Sequence, residues 1–298
     1  MRTSLLALSA LALTSAACDY PTAGSGGGTA PTPGGGATGP SDPAAPPDEP
    51  APAAAEQIPE EAVPVPSGPV EPPAPPTPDP AFPHEPAGAL QPGTGSGYAD
   101  RTVWSELMCF PLEEVGWLNS QVWRKGGGMG PPGGQCDSSN YGFPWRDNFC
   151  ESRSRTNPVC GAGQGHQGQD IRPKTCVKNV HWAVAAEPGV ITDIGSYSVT
   201  LTASDAPYRV YRYLHLNPTT LAVSEGSTVT RGQRIGHVSN AFGDTPTTIH
   251  LHFELRVSAA TALPDGSILA AKAFVPPYSS LVKAYERKLR AGGGPGCG

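Results

Sequence analysis

Proline decides how much of this chain can fold. Of the 36 prolines in 298 residues, 22 fall between Asp19 and Gly97. The same stretch has no Lys or Arg, ten Asp or Glu, and only Tyr20 and Phe82 as aromatics. A segment so composed cannot bury enough apolar surface to offset the entropy of ordering it, and is expected to be a disordered or polyproline-like linker. The folded part is then Tyr98 to Gly298, one domain's worth of chain. His84 falls in the linker and receives no role. Charge divides along the same boundary. The chain is −6 overall, with −10 in the linker and +3 (19 basic against 16 acidic residues) from Tyr98 onward. No Lys/Arg cluster accompanies that small excess, which argues against a nucleic-acid partner and leaves an anionic polymer compatible.

Ahead of the linker, Arg2 precedes an apolar run from Leu5 to Leu13 and the small residues Ser15-Ala16-Ala17, followed by Cys18. Such an order reads as a secretory signal peptide over residues 1–17, and its apolar core is too short to span a membrane. A Cys directly after the small residues resembles the lipobox of bacterial lipoproteins, although Ser15 stands where Leu is usual. Cys18 is therefore the expected lipidation site, anchoring an exported protein at a membrane of the cell envelope. The cysteine count agrees. Seven are present, Cys18, Cys109, Cys136, Cys150, Cys160, Cys176 and Cys297. If Cys18 is acylated, the other six can form three disulfides in an oxidising compartment, with the pairing left open. No close C-x-x-C pair points to a zinc cluster of cysteines instead.

From Val180 onward short β-rich runs alternate with turns. Val180–Ala186, Val190–Ile194, Ser198–Ala203, Tyr208–His215, Ile235–Val238 and Ile249–Val257 are predicted strands, punctuated by Pro188-Gly189, Glu225-Gly226 and Arg231-Gly232. One helix is predicted over Ser279–Arg290, with Gly292 to Gly294 as its stop. The fold class is mainly β, with residues 98–163 as a loop-rich, disulfide-held extension and 164–298 as the functional domain. A short helix within Trp104–Trp117 is also expected.

Three histidine-bearing segments carry the chemistry: Gly165-His166-Gln167-Gly168-Gln169-Asp170, Tyr213-Leu214-His215-Leu216 and His250-Leu251-His252-Phe253-Glu254. Successive strand residues alternate faces, so His250 and His252 share one face about 6.5–7 Å apart. His166 and Asp170 would lie about 13 Å apart in a straight strand, too far for one ion. Gly168 is where the chain could bend to bring them together. Two His and one carboxylate with an open fourth position is a catalytic zinc pattern rather than a closed structural one. Glu254 shares the face of His250 and His252 and is either a partner orienting a ligand or part of an ordinary strand salt bridge. His181 and His237 are expected to serve packing.

In order, HQGQD, YLHL, EGSTVTRGQRIGHV and HLHFEL resemble the lysostaphin-type, or LytM-domain, peptidoglycan endopeptidases, over roughly Gly165 to Val257. The resemblance implies a compact antiparallel β core of the LytM, duplicated-hybrid-motif kind with a groove over one sheet. It also implies one zinc ion per domain and hydrolysis of peptide cross-links in bacterial cell wall. Carried over residue by residue, His166, Asp170 and His252 match the zinc ligands, His250 the water-activating catalytic histidine, and His215 its assisting partner. Thr248-Ile249 stands where the family commonly has Gly-Pro before H-x-H, a departure that touches substrate preference. The rival expectation is a non-catalytic LytM-type module that activates a separate amidase. Such modules have lost metal ligands, whereas here the set is complete. Wall peptide and a membrane are the expected partners; the bond cut and the oligomeric state are left open.

Overall fold

The computed structural model describes residues 82–121, 134–257, 261–262, 268–269, 273–293 and 297. Cys18, the expected signal segment and the expected linker up to residue 81 lie outside the described residues, as does most of the glycine-rich loop Gly126–Gly134. Residues from Thr77 onward form one unit by themselves.

In chain order the strands are β1 (Gly116–Leu118), β2 (Gln169–Pro173), β3 (Trp182–Val184), β4 (Gly189–Ile194), β5 (Ser198–Ala203), β6 (Val210–Leu214), β7 (Thr228–Val229), β8 (Arg234–His237), β9 (Leu251–Arg256), β10 (Thr261–Ala262), β11 (Ile268–Leu269) and β12 (Phe274–Val275), followed by helix α1 (Tyr278–Arg290). The main sheet runs β1-β2-β9-β6-β5-β4-β7, with β12 pairing on β9. Its pairs are antiparallel throughout. Smaller antiparallel pairs join β3 to β8 and β10 to β11. The expected mainly β, antiparallel architecture is what forms, and each of the six strands predicted from Val180 onward has its counterpart.

Period-two alternation explains the sheet's two faces. On β9, Leu251, Phe253 and Leu255 enter the hydrophobic core, together with Ile171 of β2 and Tyr211 and Tyr213 of β6. Alternation therefore turns Asp170, Arg172, Arg212, His252 and Glu254 to the opposite face. Helix α1 adds Leu281, Ala284 and Tyr285 to the same core, and Gly292 (φ 64°) and Gly293 (φ 81°) end it in the left-handed region, as the sequence predicts.

The extension builds directly onto this sheet. Trp104–Trp117 is not helical: Pro111 supplies no N–H and disfavours a helix interior. Instead Cys109 N–H bonds to the Ala186 carbonyl, Val184 N–H to Pro111 and Glu113 N–H to Trp182, an extended run beside β3 that leads into β1. Met108, Phe110, Leu112, Leu118 and Trp145 complete the core. The disulfides pair Cys109 with Cys297, Cys136 with Cys176 and Cys150 with Cys160.

Order begins earlier than Tyr98, and the expectation of a linker reaching Gly97 is corrected. Phe82 is buried against Trp145 and Tyr285, with ring centroids 4.6 and 5.0 Å away. Burying one such ring contributes about 1.5–3 kcal/mol. His84 forms a parallel bridge with Trp145, through Glu85 N–H to the Trp145 carbonyl and Trp145 N–H to the Pro83 carbonyl. Gly88 N–H donates to Asp147 Oδ2 at 2.9 Å. Averaged composition hides one well-placed aromatic.

Candidate metal centre

Register brings the site together. Asp170 on β2 stands directly opposite His252 on the adjacent strand β9, so their side chains share a face. His166 lies just before β2, and the bend at Gly168 returns its ring to that face. The glycine is needed for close approach rather than for an unusual φ: a Cβ there would lie 2.3 Å from the Phe253 carbonyl oxygen. His166 Nε2 is 2.9 Å from His252 Nδ1 and 3.2 Å from Asp170 Oδ1, and His252 Nδ1 is 3.1 Å from the same oxygen. Among the described residues these three form the one His/Cys/Asp/Glu group with metal-ligand spacing.

The remaining polar atoms of the three groups are bonded elsewhere, which fixes what faces inward. His166 Nδ1–H donates to the Asn148 carbonyl at 2.9 Å, leaving the Nε2 lone pair free. His252 Nε2–H donates to Glu254 Oε1 at 3.2 Å, so Nδ1 is its inward atom. Asp170 Oδ2 accepts from Asn148 Nδ2 at 2.9 Å, leaving Oδ1 to the site. Two imidazole nitrogens and one carboxylate oxygen aimed at one point suit zinc. Tetrahedral ligands at 2.0–2.1 Å from an ion stand roughly 3.3 Å apart. The three observed separations fall within a few tenths of an ångström of that, so the residues fit the ion.

The two other histidines sit beside this group. His250 Nδ1–H donates to the Thr248 carbonyl at 2.9 Å, and its Nε2 lies 3.5 Å from Asp170 Oδ1. His215 directly follows β6 with φ 67°, in the left-handed region. Its Nδ1–H donates to the Ala241 carbonyl, and its ring centroid is 4.5 Å from that of His250. All five predicted site residues, His166, Asp170, His215, His250 and His252, are brought together and are buried, none more than 6% exposed.

Burial sets their protonation. It pushes His166 and His250 down to about 4 and His215 well below the usual imidazole range. Burial also acts to lower His252, but hydrogen bonds and charge from Asp170 and Glu254 outweigh it and raise the ring above its ordinary value. Asp170 resists ionisation through burial, yet the charges of His166 and His250 and the bonds from His166 and His252 hold it well below the usual carboxylate range. Glu254 is wholly buried on the strand between Arg212 and Arg256. Burial opposes its ionisation, but His252, Arg256 and Arg212 bring it down to about 2. Both roles open for Glu254 in the sequence are therefore filled by one carboxylate.

Sequence reasoning missed the extension's share in this site. Asn148 contacts His166 and Asp170 as described, Gln121 Oε1 accepts from Thr248 Oγ1, and Gln135 Oε1 accepts from Ile249 N–H. Contacts across so many intervening residues leave no spacing signal in a single sequence. His181 and His237 stand apart: His181 bonds to Glu114 and Thr175, and the His237 ring lies 3.7 Å from that of Trp182.

Residues 164–264 match the family model described as Peptidase family M23. No curated protein matches the chain. Solved structures similar to it include a Ruminococcus gnavus protein bearing the name of the glycyl-glycine endopeptidase LytM (19% identity, 62% of this chain and 63% of that one, TM-score 0.35), so the match spans less than two thirds of that protein. Two others are the catalytic domain of lysostaphin from Staphylococcus simulans (23%, 40% and 81%, TM-score 0.31) and a zinc containing peptidase from Vibrio cholerae (27%, 35% and 30%, TM-score 0.26). The resemblance seen from Gly165 to Val257 lies within the segment, residues 164–264, that matches the Peptidase family M23 model.

Proposed function

We propose that this chain, built around its M23 segment, is a zinc endopeptidase that hydrolyses peptide cross-links of bacterial peptidoglycan. The observation that carries the proposal is the convergence of His166 Nε2, Asp170 Oδ1 and His252 Nδ1, each with its other polar atom engaged elsewhere. His166, Asp170 and His252 would hold one zinc ion. Bound there, zinc would polarise a peptide carbonyl and lower the pKa of a water to about 7.

The chain's own residues divide the remaining work. With Nδ1–H tied to the Thr248 carbonyl and its pKa held near 4, His250 is neutral at pH 7 and presents an Nε2 lone pair beside Asp170. It takes the proton of the attacking water and passes it to the leaving amine. No H-E-x-x-H glutamate is present for that task. His215, tied through Nδ1–H to Ala241, is neutral as well and supports the reacting groups from beside His250. Burial of all five residues excludes bulk water and strengthens each of these interactions.

The test is digestion of purified sacculi of several wall types by the protein, with products identified by mass. New peptide ends support the proposal; zinc uptake without product ends would overturn catalysis. We propose further that Cys18 is acylated and holds the domain at the envelope membrane, where two acyl chains would give stable anchoring. A fatty-acid analogue should label wild type and not Cys18→Ala; equal labelling of both contradicts it.

A further inference from the structure

We infer, on the zinc-site reading above, that Asn148 is a positioning residue for the metal, so that the site is completed by the extension and not by residues 164–264 alone. Asn148 is only 1% exposed, and its polar groups are spent on the two ligands that the HQGQD segment contributes and on the residue between them. Its carbonyl accepts from His166 Nδ1–H at 2.9 Å and its Nδ2 donates to Asp170 Oδ2 at 2.9 Å. Its Oδ1 accepts the Asp170 backbone N–H at 3.2 Å, and its own N–H donates to Gln169 Oε1 at 3.3 Å.

The chemistry selects an amide at this position. The side chain must give a proton to a carboxylate and accept one from a peptide N–H at the same time. Asn can do both, Asp at neutral pH only the second, and Ala neither. The carbonyl bond holds His166 in the tautomer with Nε2 free, and the bond to Oδ2 fixes the rotation that aims Oδ1 inward.

Asn148 is itself held from both sides. Asp147 accepts the N–H groups of Phe149 and Gly88. On the other side, Cys150 N–H bonds to the His166 carbonyl and His166 N–H to the Glu151 carbonyl. Asn157 Nδ2 donates to that same His166 carbonyl at 3.2 Å, and the Cys150–Cys160 disulfide closes the loop that carries these groups. A buried amide so constrained does not merely fill space.

The experiment compares full-length wild type, Asn148→Asp and Asn148→Ala for zinc affinity by chelator competition and for the visible spectrum of the cobalt-loaded protein. Both variants keep the backbone carbonyl that His166 uses, and Asn148→Asp keeps the side-chain size. Zinc affinity should fall about 10–100-fold, with a changed cobalt spectrum, in variants that fold with the wild-type disulfide content. A folded variant that binds zinc as wild type does, with an unchanged cobalt spectrum, overturns the inference. Should neither variant fold, the wild-type Asn148 side-chain amide resonance decides. It should move on zinc saturation as Asp170 charge is drawn to the metal, and an unmoved resonance overturns the inference. Wild type that takes up no zinc overturns the zinc-site reading itself, and the inference with it.

Discussion

Asp170 and His252 face one another across the β2–β9 pair, with Oδ1 3.1 Å from Nδ1. Antiparallel register alone delivers two of the three candidate ligands to one point. The third, His166, four residues before Asp170, depends on the bend at Gly168, where a Cβ would meet the Phe253 carbonyl oxygen.

Gly168→Ala is the sharpest test of that bend. A methyl group there would lie 2.3 Å from the Phe253 carbonyl oxygen, against backbone that cannot yield without parting β2 from β9. Overpacking of this kind costs about 1–3 kcal/mol. The variant should melt at lower temperature and bind zinc more weakly than wild type. Wild-type values of both would show that close packing at this glycine is not what shapes the site.

Zinc uptake should release protons, and His252 is the source. Its folded-state pKa is raised, so near pH 6.5 it keeps a proton on the Nδ1 that the metal needs. His166 and His250, near 4, are already neutral there and release nothing. Zinc affinity should thus rise with pH until His252 has lost its proton. In the metal-free fold the same proton is stabilising below about pH 6.5, and that contribution fades as pH rises through the folded-state value. Calorimetric titration in buffers of different ionisation enthalpy measures the release directly; none at pH 6.5 contradicts the assignment.

Glu254 holds His252 from behind through Nε2–H. Glu254→Ala should weaken zinc binding by about 10–100-fold. Glu254→Gln keeps a carbonyl oxygen to accept that proton and should cost less. Equal affinities in all three proteins, measured by chelator competition, would remove Glu254 from the metal's support.

How much of this was legible follows from what each contact leaves in the sequence. The H-x-H pair on β9 was legible because strand alternation is local, and so were the strands from Val180 onward and the terminal helix. Strand β2 was not, because Gln169, Asp170 and Arg172 are polar residues buried by the site they build and break the apolar pattern of a strand. The strap from Phe82 was hidden by the prolines around it. Asn148 meets Asp170 from 22 positions away, through a loop without periodicity. Three disulfides were expected, but their pairing depends on how the extension wraps, which no spacing encodes.

The most direct measurement sets His250→Ala against His252→Ala, two positions on one strand face assigned different work. His252→Ala should lose both zinc and turnover. His250→Ala should keep near-stoichiometric zinc by elemental analysis while the release of peptide ends from sacculi falls by about 10²–10⁴. If His250→Ala loses its zinc, or retains wild-type turnover, the division of roles between these two histidines is contradicted.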